Sequence, residues 1–444
     1  MPALQVEDGA QVFAHFYQHR GAAEIWRMKG GYIPLVANLI GYVAVRFPTR
    51  TIPYVLTWLP LLITLAAYSL FFNRRYRTIL AAEQTRAVVC VLFCLAPIAQ
   101  FHLLSHTDYS IWNTFLLLIL MSVLPVPTNR VRGLLYGLLM NLLVWSHPLT
   151  VLVLPFQVYL WVKDKPGRVL YTLTIVNIVV HQIIGVEPNG MFTNLGPLDI
   201  GLTMAKAGVW TLVITAKTAF RAAFGHPLFM WAEQNMWSLF VYWVLFLAII
   251  TGMVFWKRRA YRPLIVATVY FIFSVTFMSV LNRGYARVGN IDHSPRYVYI
   301  QSLAFLVLFG GLVDALLRQR VQTPHLLAQG ERVELAHTFN VGNAVSFNGW
   351  ANLAFAIIVL HYFLLNTQLG HYFMTKRASQ SPYLYADPNN GAIVYQFFQE
   401  LAQAEIEHKG RTGIWMVAEK IDDWPIEIDT RSAEQQQIEV VHVP

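Results

Sequence analysis

The chain has 444 residues, of which 56% are hydrophobic and 13% charged, and it carries a formal net charge of +9. Soluble domains carry about 25% charge, so this balance excludes an ordinary soluble globule and points to a membrane. The basic residues form no single patch, which argues against a nucleic-acid partner; they fall in short clusters between apolar segments.

Residues 1–53 open with the acidic pair Glu7 and Asp8, then Gly9. No charged n-region, short apolar core or cleavage site precedes them, so no secretory signal is expected. Residues 9–28 place Val12, Phe13, Phe16, Ala23 and Trp26 among His15, Gln18, His19 and Arg20, the pattern of a helix lying in the membrane interface. Apolar segments long enough to cross a bilayer, or somewhat shorter, follow at approximately 54–72, 87–101, 111–126, 133–146, 149–163, 168–185, 237–256, 263–281, 297–317 and 348–366, about ten in all. Cys90 and Cys94 share the second segment and read as packed thiols, since neighbours on a helix do not easily bridge. The long stretch 186–236 is expected to hold one or two interfacial helices around 200–224, with Lys217, Arg221 and His226 at their end. Residues 318–347 read as a polar loop. After 367, a helical pattern at 390–410 and alternating strands in "GIWMVAEKI" and "WPIEIDT" suggest a small appendage; the last residues read as weakly ordered.

Every second connection is basic: Arg74, Arg75 and Arg77; Arg130 and Arg132; Lys163, Lys165 and Arg168; Lys257, Arg258, Arg259 and Arg262; Arg318 and Arg320. The positive-inside rule makes these cytoplasmic. Residues 1–53, 102–110, 147–148, 186–236, 282–296 and 367–444 then face outward. The first segment crosses either as a translocated tail or behind a spanning helix upstream of Met1; the helix is the expectation, since a tail with Arg20, Arg27 and Lys29 crosses reluctantly. The expected fold is an all-α polytopic bundle, residues 54–368, with interfacial helices in its outer loops. An outer loop, 1–53, precedes the bundle. A small α/β extracytoplasmic appendage, 369–444, follows it.

Candidate chemistry lies on the outer side. Asp8, with Glu7 as its rival, can serve as general base toward a hydroxyl acceptor, or Asp8 can cap the helix that follows. The loop "LNRGYARVGNIDHSPRYVYIQ" carries Arg283, Arg287, His293, Arg296 and Tyr297. Arginine offers phosphate a planar fork of donors, so three arginines on the less basic side suggest a phosphate or pyrophosphate clamp. Head-group contact, or ion pairs with Asp292, is the plainer reading. His106, Asp108 and His147 stand at helix ends on the same side and are possible donor or acceptor contacts. Their spacing is not that of a known metal site, so no metal ligands are assigned.

The order of "EDGAQVFAHFYQHRG", "GGYIPLVANLIGYVAVRFP", "DYSIWNTFLLLIL", "SHPLTVLVLPF", "SPRYVYIQSLAF" and "DDWPIEI" resembles the GT-C superfamily of membrane glycosyltransferases, and more closely a bacterial branch of it. The resemblance spans nearly the whole chain and rests on order and side of the membrane, each piece being weak alone. It implies a polyprenyl-phosphate sugar donor. It also implies transfer on the outer face, usually with inversion, to a glycan, lipid or protein acceptor. The setting it implies is cell-envelope assembly in a bacterial cytoplasmic membrane. It makes Asp8 the base or acceptor-positioning residue. Arg296 and Tyr297 match the "RY" that opens a helix after the phosphate-side loop. Some members need a divalent cation at the acidic motif, and none is assigned here. The superfamily places a spanning helix before that motif, and none stands there in this chain. A glycan ligase or polymerase, a transporter and a non-catalytic scaffold are the alternatives. A transporter would keep its charges near the midplane, whereas here they gather at one end.

Overall fold

The computed structural model describes residues 12–29, 31–78, 83–95, 110–185, 197–224, 262–283, 295–322, 415–421, 424–429 and 440–443, with single positions at 80, 107, 229, 241, 288, 399 and 403. The chain is mostly helical. Among the described residues two helices are long and apolar enough to cross a membrane, Thr49–Phe72 and Lys165–Gly185. The expected spans 237–256 and 348–366 and the loop 318–347 lie wholly or almost wholly outside the described residues. The chain divides into two compact units: residues 1–68, 100–196 and 382–444, and residues 69–99 and 197–381.

The first unit begins with α1, Ala14–Gln18, followed by a 3-10 turn at Ala22–Trp26. A single interfacial helix was expected across 9–28. The chain instead breaks at His19, whose φ of −113° and ψ of 83° are not helical, and Gly21 is extended. A tight turn follows, in which Lys29 and Tyr32 form an isolated bridge and Gly31 takes a φ of 82°. That conformation suits glycine because it has no Cβ to clash. Helix α2, Leu35–Ala44, was not anticipated; it is short, and Leu35, Val36, Ala37, Asn38, Ile40, Gly41 and Ala44 are all buried.

Helix α3, Ile52–Ser69, has Pro60 in its interior. Proline lacks an N–H, so the carbonyl four residues earlier loses its helical donor. That carbonyl, on Leu56, instead accepts the Thr107 hydroxyl at 2.8 Å. The Thr107 carbonyl in turn accepts the Ser110 hydroxyl at 2.6 Å, at the start of the next helix of this unit. The kink of one helix thereby fixes the entry of another.

Helix α5, Ser110–Ser122, is buried along nearly its whole length. It packs against α2, against α6, Arg130–Val144, and against the 3-10 turn Pro148–Val153; α8, Arg168–Gly185, packs in turn on α6 and on α7, Leu154–Lys163. Helix α8 is inside out. Tyr171, Thr174, Ile178 and His181 face inward, while Val169, Leu173, Val176, Val180 and Ile183 are exposed. Val131, Leu134, Leu135 and Leu138 on α6 are exposed as well. Water does not tolerate contiguous apolar surface of this kind on a monomer, whereas lipid does.

Three strands lie near the C-terminus: β1, Trp415–Ile421, β2, Trp424–Asp429, and β3, Val440–Val443, in the order β2-β1-β3. β1 and β2 pair antiparallel, Trp415 opposite Asp429, with a register shift between Ala418 and Ile421. β3 runs parallel to β1, Trp415 opposite Val440. The final residues thus include a strand where weak order was expected; the valines 440, 441 and 443 suit a pleated surface. β2 packs against α1 within the same unit.

The second unit contains α4, Glu83–Leu95, α9, Pro197–Phe224, α10, Arg262–Arg283, and α11, Tyr299–Gln322. Helices α9, α10 and α11 pack pairwise, and α4 lies on α11. A Cβ on Gly310 would come within 2.5 Å of Val89, so glycine permits that approach. Cys90 is a free, buried thiol. Where one or two interfacial helices were expected, α9 is one continuous helix of 28 residues.

Candidate functional site

Within the first unit, the described residues from segments expected to face outward meet one another. The Leu35 N–H at the head of α2 donates to the Trp145 carbonyl at 3.3 Å, and the Val36 N–H to Ser146 Oγ at 3.3 Å. Trp26 packs edge-on against Trp145 with ring centroids 6.1 Å apart. The Gly31 carbonyl lies where a Cβ on Gly185 would have to sit, so the glycine turn closes on the end of α8. Thr107 reaches the first half of α3, and β2 lies on α1.

The basic connections meet at the other ends of these helices. Tyr171 donates its hydroxyl proton to Asp164 at 2.6 Å and accepts from the Val126 N–H at 2.8 Å. One phenol thus ties the turn before Arg130 to the turn between Lys163 and Arg168. The Asn129 side chain caps α6 by accepting the Arg132 N–H at 3.1 Å.

In the first segment, α1 and the 3-10 turn fold back on each other. His15 Nε2 and Glu24 Oε2 are 2.9 Å apart. Burial pushes the His15 imidazole below its ordinary 6.5, and the Glu24 hydrogen bond opposes that shift. Arg27 lowers it further, and His19 adds a smaller push the same way. The turn is held to α2 by Asn38, whose amide donates to the Ile25 and Arg27 carbonyls, both at 3.0 Å. Arg46 Nη2 donates to the Arg20 carbonyl at 2.6 Å. Arg20 itself lies over the Tyr17 ring, 4.9 Å from its centroid.

His147 stands in the same group of segments, at 1% exposure. Its Nδ1 accepts the Leu149 N–H at 3.1 Å and so caps the 3-10 turn Pro148–Val153. Phe115 stacks on it at 4.5 Å and Trp112 meets it edge-on at 4.7 Å. Burial pushes its imidazole down to about 3, and nearby His181 adds to the fall. His181 shares its Nδ1 with the Thr150 hydroxyl at 3.3 Å.

In the second unit, Arg283 closes α10 and is exposed. Arg296 and Tyr297 sit in the 3-10 turn Pro295–Val298, which packs against both α10 and α11, and Tyr297 is buried. Arg221 is also buried in this unit, on α9. Thr215 and Thr218 on the same helix, Ser279 on α10 and Ser302 on α11 have buried hydroxyls with no hydrogen-bond partner among the described residues. Glu7, Asp8, His106, Asp108, Arg287 and His293 lie outside the described residues. Among the described residues no group of three His, Cys, Asp or Glu side chains could hold a metal ion.

The sequence pattern did not reveal the pairing of His15 with Glu24. Their nine-residue separation belongs to no helical face and depends on the break at His19–Gly21. The glycine after Arg20 was the one available sign of that break. The burial of Arg221 was equally hidden, since its helix had been read as interfacial.

No protein family, no curated protein and no solved structure matches the chain.

Proposed function

We propose that this chain is a multi-pass membrane glycosyltransferase of the bacterial cytoplasmic membrane. It moves a sugar from a polyprenyl-phosphate donor to a glycan, lipid or protein acceptor on the outer face, in cell-envelope assembly. The observation that carries the reading is the sorting of the first unit's connections. Segments that the charge rule sets outside the membrane touch one another, and two of the basic connections meet around Tyr171. The exposed apolar face of α8 supports a lipid surround for that helix; the reading takes the bundle to have about ten spans, with an outer α/β appendage at the C-terminal end.

The reading assigns acid–base work to the first unit. Asp8, with Glu7 as its rival, takes the acceptor proton or positions the acceptor hydroxyl. His106, Asp108 and His147 are the further donor or acceptor contacts of this reading. Phosphate binding falls to Arg283, Arg287, His293, Arg296 and Tyr297, spaced along the sequence that joins α10 to α11 in the second unit. Fixed guanidinium groups stabilise the negative charge that develops on the phosphate as the glycosidic bond breaks. The buried Arg221 and the unpartnered hydroxyls beside it in the sequence add to the polar character of that unit.

The test is transfer of labelled sugar from undecaprenyl-phosphate hexoses and pentoses in vesicles containing the full chain. Activity in the wild type, lost in Asp8→Asn with unchanged folding, is the expected result. A fully active Asp8→Asn protein would remove the carboxylate from the reaction, and a wild type inert toward every donor would remove the reaction itself.

A further inference from the structure

We infer that His15, oriented by Glu24, is the group that accepts the acceptor proton, an inference that rests on the transferase reading above. Glu24 as a carboxylate can only accept a hydrogen bond, so the neutral His15 ring must carry its proton on Nε2. The 2.9 Å contact therefore fixes the tautomer and leaves the Nδ1 lone pair as the acceptor. Nδ1 has no hydrogen-bond partner among the described residues. The pair is neither sealed nor loose, with side-chain exposures of 16% for His15 and 34% for Glu24. A purely structural ion pair needs neither the fixed tautomer nor the open nitrogen.

The surroundings favour the neutral, competent ring. Arg27 and His19 both oppose a positive charge on it, and Arg20 follows on the same side of the break. Helix α2, packed beneath α1, presents no carboxylate or amine along Leu35–Ala44, Tyr42 being its one ionisable residue. β2, packed against α1, contributes Glu427 and Asp429 to the local sequence.

In the step itself, the acceptor O–H bond breaks while its oxygen bonds to the anomeric carbon of the donor. The bond from that carbon to the phosphate oxygen breaks, and its electron pair leaves with the polyprenyl phosphate. The proton moves to His15 Nδ1, giving an imidazolium held by Glu24, and passes to water when product leaves.

A base must be unprotonated, so activity carried by His15 falls as pH drops through a value below 6.5. Glu24 raises the His15 pKa, so removing its charge moves that acid limb to lower pH. The experiment uses the full chain in phosphatidylglycerol–cardiolipin vesicles, with radiolabelled undecaprenyl-phosphate hexoses and pentoses as donors and total envelope glycan as acceptor. His15→Gln should lower kcat by about 10²–10⁴-fold and abolish the acid limb. Glu24→Gln should lower kcat by about 10–100-fold and shift the limb downward. A wild type with no transfer overturns the transferase reading and this inference with it. An active wild type whose His15→Gln variant keeps its kcat and limb overturns this inference alone. If His15→Gln fails to fold, Glu24→Gln decides: a limb that stays in place refutes the pair.

Discussion

Gly41→Ala adds one methyl group where α1 approaches α2 most closely. A Cβ at that position would lie 2.6 Å from Phe16 Cδ2 and 2.6 Å from Val12 Cγ1. Carbon atoms in contact prefer about 3.5–4.0 Å, so α1 must withdraw by roughly 1 Å. Neither neighbour has room to turn away, since Phe16 is 1% and Val12 5% exposed. Overpacking of this kind costs about 1–3 kcal/mol. Alanine in place of glycine inside a helix recovers about 0.5–1 kcal/mol. The net expectation is a loss of stability of up to about 2.5 kcal/mol, the difference between those two ranges. The functional effect should be larger. His15 rides on α1 beside Phe16, their rings 5.3 Å apart, and a displacement of about 1 Å in a reacting group can cost about 10²-fold in rate. Thermal unfolding in detergent and the vesicle transfer assay read the two effects. A Gly41→Ala protein more stable than wild type and equally active, as helix propensity alone would give, refutes the close packing and its link to the site.

Asn38→Ala leaves the Ile25 and Arg27 carbonyls without their shared donor, so stability should fall by about 1–3 kcal/mol in detergent unfolding, with transfer reduced as the 3-10 turn loosens. Tyr171→Phe unties the two basic connections; about 1–3 kcal/mol of stability should go while the acid limb of the pH profile stays unchanged, because the phenol lies at the opposite helix ends from His15. Arg296→Ala should raise the donor KM far more than the acceptor KM, and equal rises count against a phosphate clamp. Cysteine replacements at Arg132 and Lys165 should be labelled by an impermeant maleimide only from the cytoplasmic side, and one at Arg20 only from the outer side.

The features legible in the sequence are those set by composition over long windows. Helices α3, α8, α10 and α11 follow from sustained apolar runs, and their ends from the basic clusters that bound them. Helix α2 was not legible because ten residues, "LVANLIGYVA", make too short an apolar run to separate from the loop around them. The Leu56–Thr107 contact depends on what Pro60 leaves unpaired, which periodicity does not register. β3 was missed because its partner β1 is far away in sequence, and strand pairing at long range leaves little local trace. At the site, Asp8 and the loop arginines were visible as charges in unexpected places. The His15–Glu24 pair was not, since two polar residues nine apart meet only after a backbone break that local pattern rules place poorly.

The most direct test of the central claim is sidedness of the reaction in sealed vesicles of known orientation. Donor is supplied in both leaflets, and a membrane-impermeant glycan acceptor is added only from outside. Labelled sugar should reach the acceptor when the segment bearing Asp8 and His15 faces the added glycan, and not in vesicles of the opposite orientation. Equal transfer in both orientations, transfer only in the reverse one, or none in either contradicts an outward-facing transferase.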